Sequence, residues 1–419
     1  MRMTYRQLKS GVWTVYGFVV FTVFLSVADQ QLGKQRIIPI PPTSLALLCL
    51  LPFVVNVFLR AVAFRDVSTL IAPIKRNWLP LSFFGVLAFS SLLLSMMPDA
   101  FWGDGGKWIF LISYGFIICV AAIFVPSQGS VRASLTLYAF CALCLLLYSM
   151  WIDIEYPGTY STVVARAAGF PGNSNFAALV TVMLCASFLD YDSSRPRWIN
   201  FTFLTVSLLA VVATMSRSGM MNLAALFLFY FYFQYVHSGV KLRKIGELVV
   251  LGVGLVGFVV FVLPLMSNDV SIDGKQNKTR LSRLLQNEQV DDGSTETRLN
   301  AVKDSIRLID ESPILGHGTA HARTMDELPH NLYLAQWINN GLLGLLGYIG
   351  LLVAAMYSFT IRRYRAGQAF IVVSLIGSFF SHNILEQRPF LMLFGIHLGL
   401  STLSPATVSS RERNVSDAS

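Results

Sequence analysis

Apolar runs of about twenty residues recur along almost the whole chain, and they limit the fold more tightly than any other feature. A bilayer's hydrocarbon core of ~30 Å takes about 20 helical residues, and only helices or closed barrels satisfy the backbone inside it. The runs fall near 11–28, 38–59, 79–97, 108–125, 132–152, 175–190, 199–215, 219–236, 248–267, 333–361, 368–384 and 389–404. They predict an all-α integral membrane protein with about twelve transmembrane helices. Composition agrees. Of the 419 residues, 54% are hydrophobic and 13% charged, where soluble domains carry about 25% charged. Mean hydropathy is +0.59. A soluble enzyme, a disordered chain and a nucleic-acid-binding domain all fit poorly.

The net charge of +9 is read as a loop bias rather than a nucleic-acid footprint, because Lys and Arg collect in cytoplasmic loops of membrane proteins. With the N-terminus inside, the inner segments hold Arg2, Arg6, Lys9, Arg60, Arg65, Lys75, Arg76, Arg132, Arg195, Arg197, Lys241, Arg243, Lys244, Arg362, Arg363, Arg365, Arg411 and Arg413. The short outer loops hold fewer: Lys34, Arg36, Lys107, Arg166, Arg217 and Arg388. Both termini are therefore expected in the cytoplasm. Tryptophans 13, 78, 102, 108, 151, 198 and 337 fall near span ends, as an interfacial belt would place them. The basic N-terminus, its apolar run and Ser26-Val27-Ala28 mimic a cleavable signal. The run exceeds a usual signal core, so it reads as a retained helix. Cys49, Cys119, Cys141, Cys144 and Cys185 all sit in apolar runs without zinc spacing and read as apolar fillers.

The runs divide the chain into a bundle over 1–266 (about nine spans), a polar outer loop over 267–332, about three spans over 333–404 and a tail over 405–419. A loop of that length in a compact protein is functional or disordered. Within it Leu299, Val302, Ile306 and Ile309 recur at helical spacing, predicting an amphipathic helix over 295–311 that Pro313 and Gly316 stop.

Three outer segments concentrate the polar chemistry. They are Arg166-Ala-Ala-Gly-Phe-Pro-Gly-Asn-Ser-Asn175, the turn Met215-Ser-Arg-Ser-Gly219, and Glu311-Ser-Pro-Ile-Leu-Gly-His-Gly318 followed by Pro329-His-Asn-Leu-Tyr-Leu334 and Gly341-Leu-Leu-Gly344. In these motifs the sequence resembles the O-antigen ligase and polymerase superfamily, and within it the O-antigen ligases (WaaL type). The motifs look like R-x-x-G-F-x-x-N, S-R-x-G and P-x-x-G-x-G followed by H-N-x-x-L and G-x-x-G. The resemblance covers residues 160–350 in motifs and the whole chain in topology.

The resemblance implies a GT-C-like membrane fold with a large periplasmic loop, in the inner membrane of a Gram-negative bacterium. It implies a polysaccharide donor on undecaprenyl diphosphate and a sugar hydroxyl of lipid A–core as acceptor. Membrane lipids are the remaining partners; no nucleic acid, cofactor or metal is expected. Transfer is expected to be metal-independent and inverting. Arg217 and, by resemblance, Arg298 are expected to hold the donor diphosphate, since guanidinium matches phosphate bidentately. Arg166 is a third candidate. The competing readings are an interfacial arginine snorkelling to headgroups and, for Arg298, a solvated helix residue. Arg280 and Arg283 are weaker candidates, because the loop as a whole is acidic.

His330 is the expected general base, kept neutral by a following helix N-terminus; an interfacial or N-capping histidine is the alternative. Lys34, Arg36, His382 and Arg388 are candidate acceptor or cavity-lining residues. His317 and His321 share the loop with His330, but their spacing is thin evidence for a metal. Asp190-Tyr-Asp192 looks like a metal-binding D-x-D yet falls on the inner side, so it reads as a solvated helix end. The competing functions are a polymerase of the same superfamily and, in a different class, a multi-span transporter. Transporters usually show internal repeats and midplane charges, and neither is visible in this sequence.

Overall fold

The computed structural model describes residues 5–100, 111–156, 158–161, 166–192, 196–236, 270–272, 275–277 and 294–403. In chain order its helices are α1 (Tyr5–Leu25), α2 (Ala28–Lys34), α3 (Pro42–Ala63), α4 (Ser68–Arg76), α5 (Trp78–Leu94), α6 (Leu111–Ile123), α7 (Gly129–Glu155), α8 (Ser174–Phe188), α9 (Arg197–Thr214) and α10 (Arg217–Phe231). They continue with α11 (Ser294–Glu311), α12 (Leu332–Ile361), α13 (Arg365–Gly377) and α14 (Arg388–Ser401). One short antiparallel pair, β1 (Val270–Ile272) with β2 (Lys275–Asn277), sets Ser271 opposite Gln276.

Every predicted span coincides with a helix except 248–267, which lies outside the described residues, as do Arg280 and Arg283. Full membrane crossing is a narrower property. Among the described residues, three helices (α3, α7 and α12) are individually long and apolar enough, or up to five if each bent pair counts as one span. Those pairs are α1 with α2, bent by 75°, and α4 with α5, bent by 80°. The first break falls at Val27, whose φ of 63° is left-handed, and the second at Asn77 between the two helices. The helices beginning at Leu111, Ser174, Trp198 and Arg365 are apolar but shorter.

The bundle is organised around α8, where every residue from Ala177 to Phe188 is buried. A helix apolar on all faces needs neighbours on all sides, and α8 packs against α7, α9, α10, α13 and α14. Around that centre α5 pairs with α12, α6 with α14 and α1 with α7. Trp78, Trp151 and Trp198 sit near helix ends, at 62%, 60% and 67% exposure, as belt residues do. Trp337 departs from that pattern and donates its indole N–H to Pro313 O at 2.9 Å.

That bond belongs to a splice joining the α11–α12 connection to α12 itself. Gly341 breaks α12 with φ 60° and ψ −159°, a conformation essentially confined to glycine. The groups freed by the break find partners in the connection. His317 N–H donates to Ile338 O at 2.8 Å and Gly318 N–H to Asn339 O at 3.0 Å. Leu342 N–H donates back to Pro313 O at 3.0 Å. A Cβ on Gly341 would collide with the Ile314 carbonyl. The P-x-x-G-x-G and G-x-x-G motifs are thus the two halves of one backbone junction.

α11 occupies the predicted stretch, but its buried face overlaps the predicted stripe only at Ile309. Ala301, Ser305 and Ile309 are buried, while Leu299 and Ile306 are 55% and 51% exposed. Ile309 packs in a small cluster with Ala322, Ala335 and Ile338 against α12.

Candidate functional site

Three helix starts converge at one end of the bundle. At α8, the Asn173 side chain accepts the N–H groups of Asn175 and Phe176. At α12, Asn331 does the same for Tyr333 and Leu334. At α10, Ser216 accepts Gly219 N–H at 3.1 Å. These are N-caps of the kind that asparagine and serine form best. The turn before α10 is tight because Met215 ends α9 in the left-handed region, φ 49°. Gly219 lets α10 approach α8 closely, since a Cβ there would collide with that of Ala178. The S-R-x-G motif therefore places Arg217 as the first residue of a capped helix.

A cavity of about 200 Å³ lies between these helix starts and α11. Arg166, Arg217, Arg298, His330, Asn175, Ser218, Asn331, Val302, Pro329, Phe379 and Phe380 line it. Three guanidinium groups thus face one cavity whose lining contains no carboxylate. Arg166 is held there by its Nη2, which donates to Asn175 Oδ1 at 2.9 Å, and the Ser216 hydroxyl donates to the same oxygen at 2.8 Å. The first two motifs are therefore linked through Asn175. Among the described residues Arg217 and Arg298 have no hydrogen-bond or ion-pair partner. The helix N-termini add partial positive charge to the same space.

His330 is backed by strain and by its neighbours. Its φ of 37° puts a non-glycine residue in the left-handed region one step before the α12 cap. Burial, then the charge of Arg298, lowers its pKa from 6.5, with Glu327 opposing. Desolvation and Arg298 together favour the neutral imidazole. His382 packs its ring edge-on against His330, centroids 5.6 Å apart. Arg323 lies within electrostatic reach of His382. Arg323 in turn pairs with Glu386, whose carboxyl burial raises to about 7 against that pull.

The other sequence candidates fall elsewhere. Arg388 does not line the cavity: it is 8% exposed, and its Nε lies 2.5 Å from the carboxylate of the buried Asp29. An arginine in that setting needs a counter-charge and finds one on α2. His382 touches His330 without lining the cavity. Lys34 and Arg36 are exposed on α2 and the turn after it, outside the cavity lining. His317 and His321 stack at 4.8 Å, and each uses a ring nitrogen on a carbonyl, that of Leu308 and that of Asp99. Asp192 pairs with Arg365 at 2.8 Å, and Asp190 is buried beside it.

Sequence reasoning missed the apolar wall, Phe379 and Phe380, and the linking role of Asn175. An aromatic pair closing an apolar run carries no signal of its own. Asn175 stood within a quoted motif, but its partner Ser216 is 41 residues away.

Residues 201–349 match the family model described as O-antigen ligase. The match spans about a third of the chain. It supports a place for this segment in the O-antigen ligase and polymerase superfamily. The matched segment runs from α9 into α12 and includes Arg217, Arg298, His330 and the splice; Arg166 and His382 lie outside it. No curated protein matches the chain.

Proposed function

We propose that this protein is an O-antigen ligase, transferring a polysaccharide from undecaprenyl diphosphate to a sugar hydroxyl of lipid A–core at the periplasmic face of the inner membrane. The observation that carries the reading is a cavity with three arginines, no lining carboxylate and a histidine biased toward its neutral form. Such a cavity attracts a polyanion beside a group that can take a proton. At about 200 Å³ it is smaller than the ~300–1,000 Å³ of ordinary small-molecule pockets. It suits a diphosphate and the reacting atoms, with lipid and polymer extending beyond it.

In this reading His330 takes the proton of the acceptor hydroxyl as its oxygen bonds to the anomeric carbon of the donor. The bond from that carbon to the diphosphate oxygen breaks on the opposite side, inverting the centre. The electron pair leaves with the diphosphate, where Arg217, Arg298 and Arg166 stabilise the developing charge in a poorly hydrated site. The guanidinium groups supply the positive charge that this step requires.

Deleting the gene in its host and examining lipopolysaccharide together with the undecaprenyl-linked pool tests the reading. Loss of the whole ladder with long lipid-linked polymer accumulating supports ligase. A surviving band of core plus one repeat makes the protein a polymerase, and the acceptor half of the mechanism is then wrong. Transport activity that survives loss of His330 would overturn both.

A further inference from the structure

Asp153 lies in the last turn of α7, 4% exposed, and touches no residue lining the cavity with its side chain. Its carboxylate is instead an acceptor for four backbone N–H groups. Oδ1 accepts from Tyr160 and Ser161, both at 3.0 Å. Oδ2 accepts from Ala168 at 2.8 Å and Gly169 at 3.4 Å. One turn earlier, the Ser149 hydroxyl accepts Phe170 N–H at 3.2 Å. Both arms of the connection between α7 and α8 are thus gathered around the end of α7.

A carboxylate at the end of an apolar run is costly unless its lone pairs are used, and here they are used entirely on loop backbone. Asparagine could not substitute. It offers one acceptor oxygen and would turn an NH₂ donor toward two N–H donors. Arg166 is the only charged residue between 156 and 172, and it lies two residues before the pair that Oδ2 holds. From the other side Ala167 N–H donates to Ala213 O at 3.3 Å, and Arg166 Nε to Thr214 O at 3.4 Å. The loop is therefore clamped between α7 and the end of α9, and the clamp's chemical output is the direction of one guanidinium.

We propose that Asp153 is a positioning residue that acts through Arg166, setting the guanidinium against the phosphate groups of the lipid-linked donor. This rests on the function proposed above. The test is a double-mutant cycle on the full chain reconstituted in vesicles, with donor KM and kcat measured separately for wild type, D153N, R166A and D153N/R166A. The expected results are a rise in donor KM of about tenfold for R166A and a comparable rise for D153N. The double variant should be no worse than R166A, because a residue acting through Arg166 has nothing left to act on. Ser149→Ala, a milder release of the same loop, should raise donor KM less, and again only when Arg166 is present. It keeps the test open if D153N does not fold.

A merely structural Asp153 would lower the folded fraction at unchanged KM, or cost as much in the R166A background as in wild type. Either result overturns the inference while leaving the proposed function standing. R166A with wild-type donor KM would instead remove Arg166 from donor binding, and this inference with it.

Discussion

The two ends of the bundle each hold a cavity, and the contrast between them is one of charge balance. The cavity at the start of α8 measures about 200 Å³. A second, at the end of the same helix, measures about 270 Å³ and is lined by Arg132, Arg365, Asp190 and Asp192 among others. Some fifteen helical residues at ~1.5 Å each separate the two. The larger cavity has its charges matched. Arg365 bonds Asp192 and Tyr191 O, at 2.8 and 3.0 Å, and lies over the Phe233 ring. The smaller one faces three arginines with no lining carboxylate to answer them. Volume alone would favour the far end; charge balance favours the end lined by Arg217, Arg298 and His330, all inside the matched segment.

The histidines repeat the contrast. At the far end His397 is fully buried, accepts from Tyr364 O–H and donates to the Ser187 hydroxyl, both at 2.9 Å. At the near end His330 stands strained at a cavity mouth. His330→Ala should therefore abolish transfer, a loss of at least about 10²–10⁴-fold, with the protein still in the membrane. His397→Ala should leave turnover per folded molecule near wild type while lowering thermal stability by about 1–3 kcal/mol, the cost of orphaning buried partners. Turnover by purified variants, corrected for folded fraction, checks both. A fully active His330→Ala would end the general-base assignment, and a folded but dead His397→Ala would erase the distinction between the ends.

Next in size is the splice that carries α11, and Arg298 with it, to the cavity. Gly341→Ala meets both a conformation nearly closed to other residues and a collision with Ile314 O, so the yield of folded protein should fall sharply. Gly11→Ala makes a fair control, because a Cβ there meets nothing within 4 Å. Equal yields of the two variants in detergent-solubilised membranes would show that the junction does not hold α11.

The arginines at the two ends should respond differently to the same exchange. Arg217→Lys keeps the charge but loses the fork that matches phosphate, and should cost about tenfold in kcat/KM. Arg365→Lys should be nearly silent in the same assay, because its ion pair, carbonyl contact and place over the Phe233 ring all lie at the other end of α8. Near-wild-type kinetics for Arg217→Lys would argue against bidentate phosphate binding.

How much of this was legible in the sequence follows from what hydrophobicity can and cannot encode. Apolar runs located the helices, because a backbone in lipid has no other way to bond itself. The runs 11–28 and 79–97 end and begin at the breaks at Val27 and Asn77, but they gave no sign of the short, more polar helices α2 and α4 on the far side of each break. The amphipathic helix was found but turned. In a soluble protein Leu299 and Ile306 would mark the buried face, whereas a membrane chain shows apolar side chains to lipid and protein alike, and the close contacts go to small residues such as Ala301 and Ser305. The arginines and His330 were legible because charge near a bilayer needs a reason. Arg388 carried the same signal and led elsewhere, since its reason is Asp29 and not a ligand. Asp153 carried it too, as a carboxylate ending an apolar run, but its partners are backbone groups that no residue type announces.

The smallest expected effect is electrostatic, and it tests whether the site end behaves as one charged unit. Burial and Arg298 lower the His330 pKa, while Glu327 raises it. In the proposed mechanism the neutral ring is the base, so kcat/KM should fall as pH drops through a midpoint below 6.5. Arg298→Gln removes a positive neighbour and makes protonation easier, so the midpoint should move up toward 6.5. Glu327→Gln removes the opposing negative charge, and the midpoint should move down. Arg298→Gln will also lose amplitude if it binds phosphate, but amplitude and midpoint are separate parameters of the same pH profile. Opposite shifts in the two variants would tie the limb to His330 and to its neighbours on the loop. A midpoint indifferent to both would mean that another group limits the reaction at low pH, and that Arg298 serves the phosphate without tuning the base.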